Sequence, residues 1–158
     1  MNTLALCEQL ATRLLAKGWM LATAESCTGG LIAGACTDLA GSSNWFERGF
    51  ITYSNAAKTE LLGVDAALIG QDGAVSESVV RAMAQGAIEH SQAQVSVAVT
   101  GVAGPTGGSR DKPVGTVWLG WSVDGIITSE LMRFDGDRAA VRAQTVQHAL
   151  ATLLKLLG

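Results

Sequence analysis

Asp124-Gly125 separates two apolar runs, Val114 to Val123 and Ile126 to Phe134. A two-residue Asp-Gly link suits a tight hairpin turn, because both residues tolerate left-handed backbone. The two runs are therefore predicted to pair as antiparallel strands. Upstream, Val95-Ser96-Val97-Ala98-Val99-Thr100 is β-branched and uncharged, the pattern of a buried strand. Trp19 to Ala24 and Trp45 to Tyr53 read as two further strands, the second with imperfect alternation.

Helical patterns lie between these runs. Thr3 is expected to cap a first helix with Leu6, Leu10 and Leu14 on its apolar face and Gly18 as its stop. Gly30 to Cys36 is a helix of small residues suited to close packing on a sheet. Ser54 or Asn55 can cap a short helix that carries Lys58, Leu61 and Leu62 and closes at Gly63. Ser76 to Glu89 is a longer helix, and Asp137 opens a last one to Leu157. Helices alternating with strands, then a hairpin, give an α/β layered fold with a mixed sheet, parallel in part. The length of 158 residues fits one domain over 1–158.

Composition narrows the function. Hydrophobic content of 48% against 16% charged residues is globular. A net charge of −3, with no run of Lys or Arg, gives no support to a nucleic-acid face. No apolar run reaches membrane-spanning length, and no basic region with an apolar stretch opens the chain, so a soluble, cytoplasmic protein is expected. Cys7, Cys27 and Cys36 are odd in number and lack Cys-x-x-Cys spacing, which fits reduced thiols.

Three segments can carry chemistry. Thr23-Ala24-Glu25-Ser26-Cys27-Thr28-Gly29-Gly30 puts two nucleophiles in a tight turn between a strand and a helix start. Ser26 needs a base; only His90 and His148 are histidines, and neither lies among other polar groups, whereas Lys58 sits in a polar turn. Serine is also a common helix cap. Cys27 competes for the nucleophile's role, since a helix start activates a thiol, although cysteine more often packs under a turn. The residues alone leave Ser26 and Cys27 unranked.

Thr100 to Gly108 follows the buried strand and offers glycine backbone N–H groups plus the Thr106 hydroxyl to an anion. It is neither a Walker loop nor a Rossmann fingerprint. Arg138 and Arg142 are four apart on the last helix, able to share one face and hold a phosphate or carboxylate, though such pairs are by default solvated. Arg110 and Lys112 can also reach an anion. Two distant histidines and scattered acids give no metal-ligand spacing, so no metal or cofactor is expected.

The chain resembles the CinA C-terminal domain family in several ordered runs. They are Thr23 to Gly30, Gly49 to Lys58, Gly73-Ala74-Val75-Ser76, Thr100 to Gly108, and Lys112-Pro113-Val114-Gly115-Thr116-Val117. Larger members carry an additional N-terminal domain with no counterpart in these residues. The resemblance implies a three-layer α/β/α fold, often homodimeric. It also implies a metal-independent amidase acting on nicotinamide mononucleotide, with Ser26 as nucleophile, Lys58 as base and Tyr53 as a supporting hydroxyl. On that basis the nucleophile's turn (Cys27, Thr28, Gly29, Gly30) is expected to meet the oxyanion. By residue type, Gly101, Gly104, Thr106, Gly107 and Arg142 are expected to hold the nucleotide phosphate. A nucleotide-binding regulatory module and a Cys27 hydrolase are the competing expectations.

Overall fold

A computed structural model describes residues Met1–Gly158. Five strands form one mixed sheet: β1 (Leu21–Glu25), β2 (Phe46–Ile51), β3 (Val95–Gly101), β4 (Thr116–Val123) and β5 (Ile126–Arg133). Their order is β2-β1-β3-β4-β5. β1 runs parallel to both β2 and β3, and β3, β4 and β5 are antiparallel neighbours. Asp124 and Gly125 both take positive φ, 50° and 84°, as the hairpin turn requires.

Six helices complete three layers: α1 (Thr3–Lys17), α2 (Leu31–Thr37), α3 (Asn55–Leu62), α4 (Ala66–Asp72), α5 (Glu77–Glu89) and α6 (Arg138–Leu157). α1, α2 and α6 cover one face, burying Leu10, Leu14, Ile32, Leu150 and Leu153 against Leu21, Val97, Val99, Leu119 and Trp121. Each such large apolar side chain contributes about 1.5–3 kcal/mol when withdrawn from water. α3, α4 and α5 cover the other face, where β1 and β3 present small residues: Ala22, Ala24 and Ala98, with Ser96 donating to the Ala84 carbonyl of α5. Small strand residues let α5 sit close: a Cβ on Gly120 of β4 would lie 3.1 Å from the Val80 carbonyl oxygen.

Several details depart from the sequence reading for local reasons. Asn2, not Thr3, caps α1, its side chain accepting from the Ala5 N–H. α4 was not anticipated at all; Asp65 caps it and Gly73 ends it, yet it is short and buries only Ile69. Trp45 precedes β2 and is buried at the end of a single 3₁₀ turn, Ser42–Asn44.

This topology creates one special edge. The chain leaves β1 for β2 on one side and later returns to β3 on the other, so the crevice beyond β1 is a topological switch point. Ser26 follows β1 directly, and its N–H donates to the Val99 carbonyl of β3. α3 is fixed against α5 by a close approach at Gly86, where a Cβ would fall 2.1 Å from the Leu62 carbonyl oxygen. Gly86→Ala is therefore expected to lose about 2 kcal/mol or more of stability in urea denaturation, as overpacking does. A midpoint equal to the wild type would contradict that contact.

Candidate active site

Three segments converge at the switch point. β1 ends at Glu25 and delivers Ser26; β2 ends at Ile51 and delivers Thr52 and Tyr53; the first turns of α3 deliver Lys58. Ser54 caps α3 by accepting from the Ala57 N–H, which sets the helix start next to the strand end. The Thr52 N–H donates to the Glu25 carbonyl at 2.8 Å, so the two strand ends are stitched together.

Lys58 Nζ lies 2.9 Å from Ser26 Oγ, 3.0 Å from the Thr52 carbonyl and 3.2 Å from the Tyr53 carbonyl. The lysine is only 1% exposed and has no carboxylate partner. Removal from water pushes its pKa below the ordinary lysine value, partly offset by the nearby Cys27 sulfur. A neutral amine has two N–H donors and one lone pair. The two carbonyls can take both donors, which leaves the lone pair for the Ser26 hydroxyl. That is the arrangement of a base beside its nucleophile.

The neighbouring thiol has a different environment. Cys27 packs into the core under α1 and α6. Burial, foremost, pushes its pKa up to about 12, which keeps it protonated and unreactive at neutral pH. The histidines are engaged elsewhere: His90 Nδ1 faces the Gly86 carbonyl, and His148 faces Glu130.

Tyr53 reaches the dyad through its main chain. Its carbonyl accepts from Lys58 Nζ and lies 3.4 Å from Ser26 Oγ. Its ring is 59% exposed and its hydroxyl accepts from Arg138 Nη2 at 3.1 Å. In this structure the hydroxyl expected to support the dyad is therefore turned toward α6.

Around the nucleophile, the Cys27, Thr28 and Gly30 N–H groups have no protein acceptor, and of these residues Thr28 is fully buried. Gly29 and Gly30 take positive φ, 58° and 110°, which opens the turn. Arg142 fastens it from α6, donating to the Cys27 carbonyl at 3.1 Å and the Thr28 carbonyl at 3.2 Å. A cleft of about 640 Å³ opens beside this clamp, lined by Ala103, Pro105, Val114, Asp137, Arg138 and Arg142 among others. It adjoins the turn through Arg142; Ser26 itself is not in its wall and is 8% exposed.

The glycine-rich loop contributes less directly than expected. Gly104 is buried and its carbonyl accepts from Arg138 Nη1 at 3.0 Å. Gly101 is half-buried against β4. Thr106 and Gly107 are exposed and lie outside the cleft wall. Lys112 is folded onto the Asp72 carbonyl at 2.8 Å. Arg138, which the sequence sets four residues from Arg142 as a pair able to hold a phosphate or carboxylate but solvated by default, is the residue that joins loop, Tyr53 and cleft. Its spacing from Arg142 was the only available signal.

A three-layer α/β/α sheet with a serine and a buried lysine at its switch point defines a class of fold and site with hydrolase-like geometry. The chain belongs to the CinA C-terminal domain family, whose model matches residues 3–157. It is similar to a nicotinamide-nucleotide amidohydrolase PncC of Enterobacter agglomerans, 55% identical over 148 residues, covering 93% of this chain and 90% of the relative. A Pseudomonas putida protein of the same description is 61% identical over 134 residues, covering 85% of this chain and 84% of that one. The crystal structure of the competence damage-inducible protein A (ComA) from Klebsiella pneumoniae superposes with a TM-score of 0.96. It is 40% identical, and the match covers 99% of this chain and 98% of that one.

The buried lysine has a consequence for stability. In the unfolded chain Lys58 titrates near its ordinary value of about 10.4, and in the fold its pKa is lower. Between the two, the unfolded state binds the extra proton, so the wild type gains stability as pH rises through that window, by at most about 1.4 kcal/mol per pH unit. Below the folded pKa the charged lysine is a constant cost. Lys58→Met, which cannot titrate, should therefore exceed the wild type in stability most at neutral pH, with the gap narrowing toward pH 10. Urea midpoints measured across pH 7–10 check this; a gap that widens with pH would mean the lysine is not held below its ordinary pKa.

Proposed function

We propose that this protein is an amidohydrolase that deamidates nicotinamide mononucleotide to nicotinate mononucleotide and ammonia. The names of its relatives supply the substrate class. The observation that carries the mechanism is the 2.9 Å contact between Ser26 and a buried lysine that lacks a counter-ion.

In this mechanism Lys58 takes the proton from Ser26 Oγ as it attacks the carboxamide carbon. The Cys27 and Gly30 N–H groups, which have no acceptor in the protein and belong to residues that are not fully buried, meet the oxyanion as charge develops. Lys58 returns the proton to the leaving ammonia. Water, activated by the same amine, then hydrolyses the acyl-enzyme and frees Ser26. The Thr52 and Tyr53 carbonyls hold the amine in place throughout.

The phosphate is assigned to the cleft between the glycine-rich loop and α6. Arg138 and Arg142 are its cationic wall, with Ala103 and Pro105 of the loop opposite. Arg142 is half-buried and holds the nucleophile's turn, whereas Arg138 is exposed at the cleft mouth, where it donates to the Gly104 carbonyl and the Tyr53 hydroxyl, so Arg138 is the better phosphate ligand. The carboxamide is small, and orientation must come from binding energy at a remote group.

Two experiments test this reading. Ammonia release from the mononucleotide, assayed with EDTA present, should be lost in Ser26→Ala by several orders of magnitude and largely kept in Cys27→Ala. The kcat/KM profile should rise through an ionisation below about 10.4. Lys58→Arg should be inactive, because guanidinium keeps its proton. An inactive, folded Cys27→Ala beside an active Ser26→Ala would reverse the choice of nucleophile. Absence of ammonia release by the wild type would favour a nucleotide-binding regulatory module.

For the phosphate, Arg138→Gln should lower kcat/KM on the mononucleotide about 10-fold or more. That is the loss of one charge-assisted hydrogen bond of ~1.5–3 kcal/mol. The same change should scarcely affect the phosphate-free riboside, which should already be a poor substrate for the wild type. Equal wild-type rates on the two substrates would remove the cleft assignment.

A further inference from the structure

We infer that Glu25 is a positioning residue for the reaction: its carboxylate holds the nucleophile's turn so that the Cys27 and Gly30 N–H groups stay free for the oxyanion. The inference rests on the Ser26 reading above.

Glu25 is the last residue of β1, paired with Ile51 of β2 on one side and Val99 of β3 on the other, and it is completely buried. A buried carboxylate demands compensation, and no lysine, arginine or histidine pairs with this one. Three neutral donors answer it instead. The Thr28 hydroxyl and the Ile32 N–H (2.8 Å) donate to Oε1, and the Ala33 N–H (3.0 Å) donates to Oε2.

These donors include the orphan N–H groups of the α2 start. The residue at the cap position, Gly30, has no side chain to serve them. Glu25, seven residues before Ile32, does the capping from inside the protein. Two consequences follow. The first turn of α2 is already occupied by a protein anion, so the substrate phosphate must bind elsewhere, in agreement with the arginine-lined cleft. Meanwhile the donors that Glu25 does not take, the Cys27, Thr28 and Gly30 N–H groups, lie one, two and four residues from Ser26 with no acceptor.

The carboxylate fixes this division from one side and Arg142 from the other. Glu25 draws in the Thr28 side chain, and Arg142 draws out the Cys27 and Thr28 carbonyls. Opposed pulls at one residue set the orientation of the peptide planes between Cys27 and Gly30. Glu25 is also tied by its own carbonyl to the Thr52 N–H, and the Thr52 carbonyl holds Lys58. One residue thus sets the turn of the nucleophile by its side chain and, by its main chain, the Thr52 segment that holds the base.

Glutamine cannot replace it. Its single carbonyl oxygen can accept from Thr28 and Ile32, but its NH₂ would then face the Ala33 N–H, donor against donor. Because the carboxylate does not touch substrate, its loss should appear in kcat and not in KM.

Glu25→Gln and Thr28→Val, the latter removing only the hydroxyl donor, test this in steady-state kinetics on nicotinamide mononucleotide. Each should lower kcat about 10- to 100-fold, short of the ~10²–10³ that follows outright loss of an oxyanion donor. KM and the calorimetric affinity for nicotinate mononucleotide should stay within about twofold of the wild type. Wild-type kcat in both variants, or a raised KM at unchanged kcat, would overturn the positioning role. If Glu25→Gln fails to fold, Thr28→Val decides alone. Ser26→Ala run alongside separates the two levels: if it is inactive while the other variants are fully active, the serine mechanism stands and the role of Glu25 falls. Wild-type turnover in Ser26→Ala would remove both.

Discussion

An amine withdrawn from water with no carboxylate to balance it is the constraint around which this site is arranged. Lys58 meets two main-chain carbonyls and one hydroxyl. Charged, it would be a standing cost to the fold; neutral, it satisfies every partner and keeps a lone pair for Ser26. The surrounding structure makes that placement rigid. Gly86 brings α5 onto the end of α3, Ser54 caps the start of α3, and the Thr52 N–H locks β2 to β1. Stability and reactivity therefore pull in opposite directions at one side chain, a tension common where a pKa is tuned for chemistry.

The second requirement is a set of unspent donors near the nucleophile. Protein interiors rarely leave backbone N–H groups without acceptors. Here Cys27, Thr28 and Gly30 do so at the C-terminal edge of the sheet, while Ile32 and Ala33 are satisfied by Glu25. The arginines of α6 extend the site outward. Arg142 reaches the turn, and Arg138 bridges Tyr53 and Gly104 across the cleft mouth. Nucleophile, base, donors and anion-binding wall then come from β1, α3, the turn before α2, and α6. Only folding brings these distant stretches of chain together.

Much of this was legible in the residues. Asp124-Gly125 specified its hairpin because few residue pairs accept positive φ twice. The helix starts at Ser54, Ser76 and Asp137 were visible as short polar side chains ahead of helical periodicity. Ser26 and Lys58 stood out as chemistry in polar turns. Strand order was not legible, since it depends on which way each crossover packs. α4 was missed because it is short and buries a single apolar residue, so it has no periodicity to read. The inward aim of Glu25 and the outward turn of the Tyr53 hydroxyl depend on side-chain partners far away in sequence. Thr106 looked like an anion ligand from its glycine neighbours, yet those glycines leave it exposed beyond the cleft wall.

The account turns on the protonation state of one lysine. Lysine ε-carbon and ε-nitrogen NMR shifts, followed by pH titration in the wild type and assigned with Lys58→Met, measure it directly. The account predicts one resonance titrating below the ordinary value of about 10.4, absent from the variant, while those of Lys17, Lys112 and Lys155 remain. A Lys58 resonance that titrates at or above that value would mean a permanently charged ammonium beside Ser26, and would contradict its role as the base.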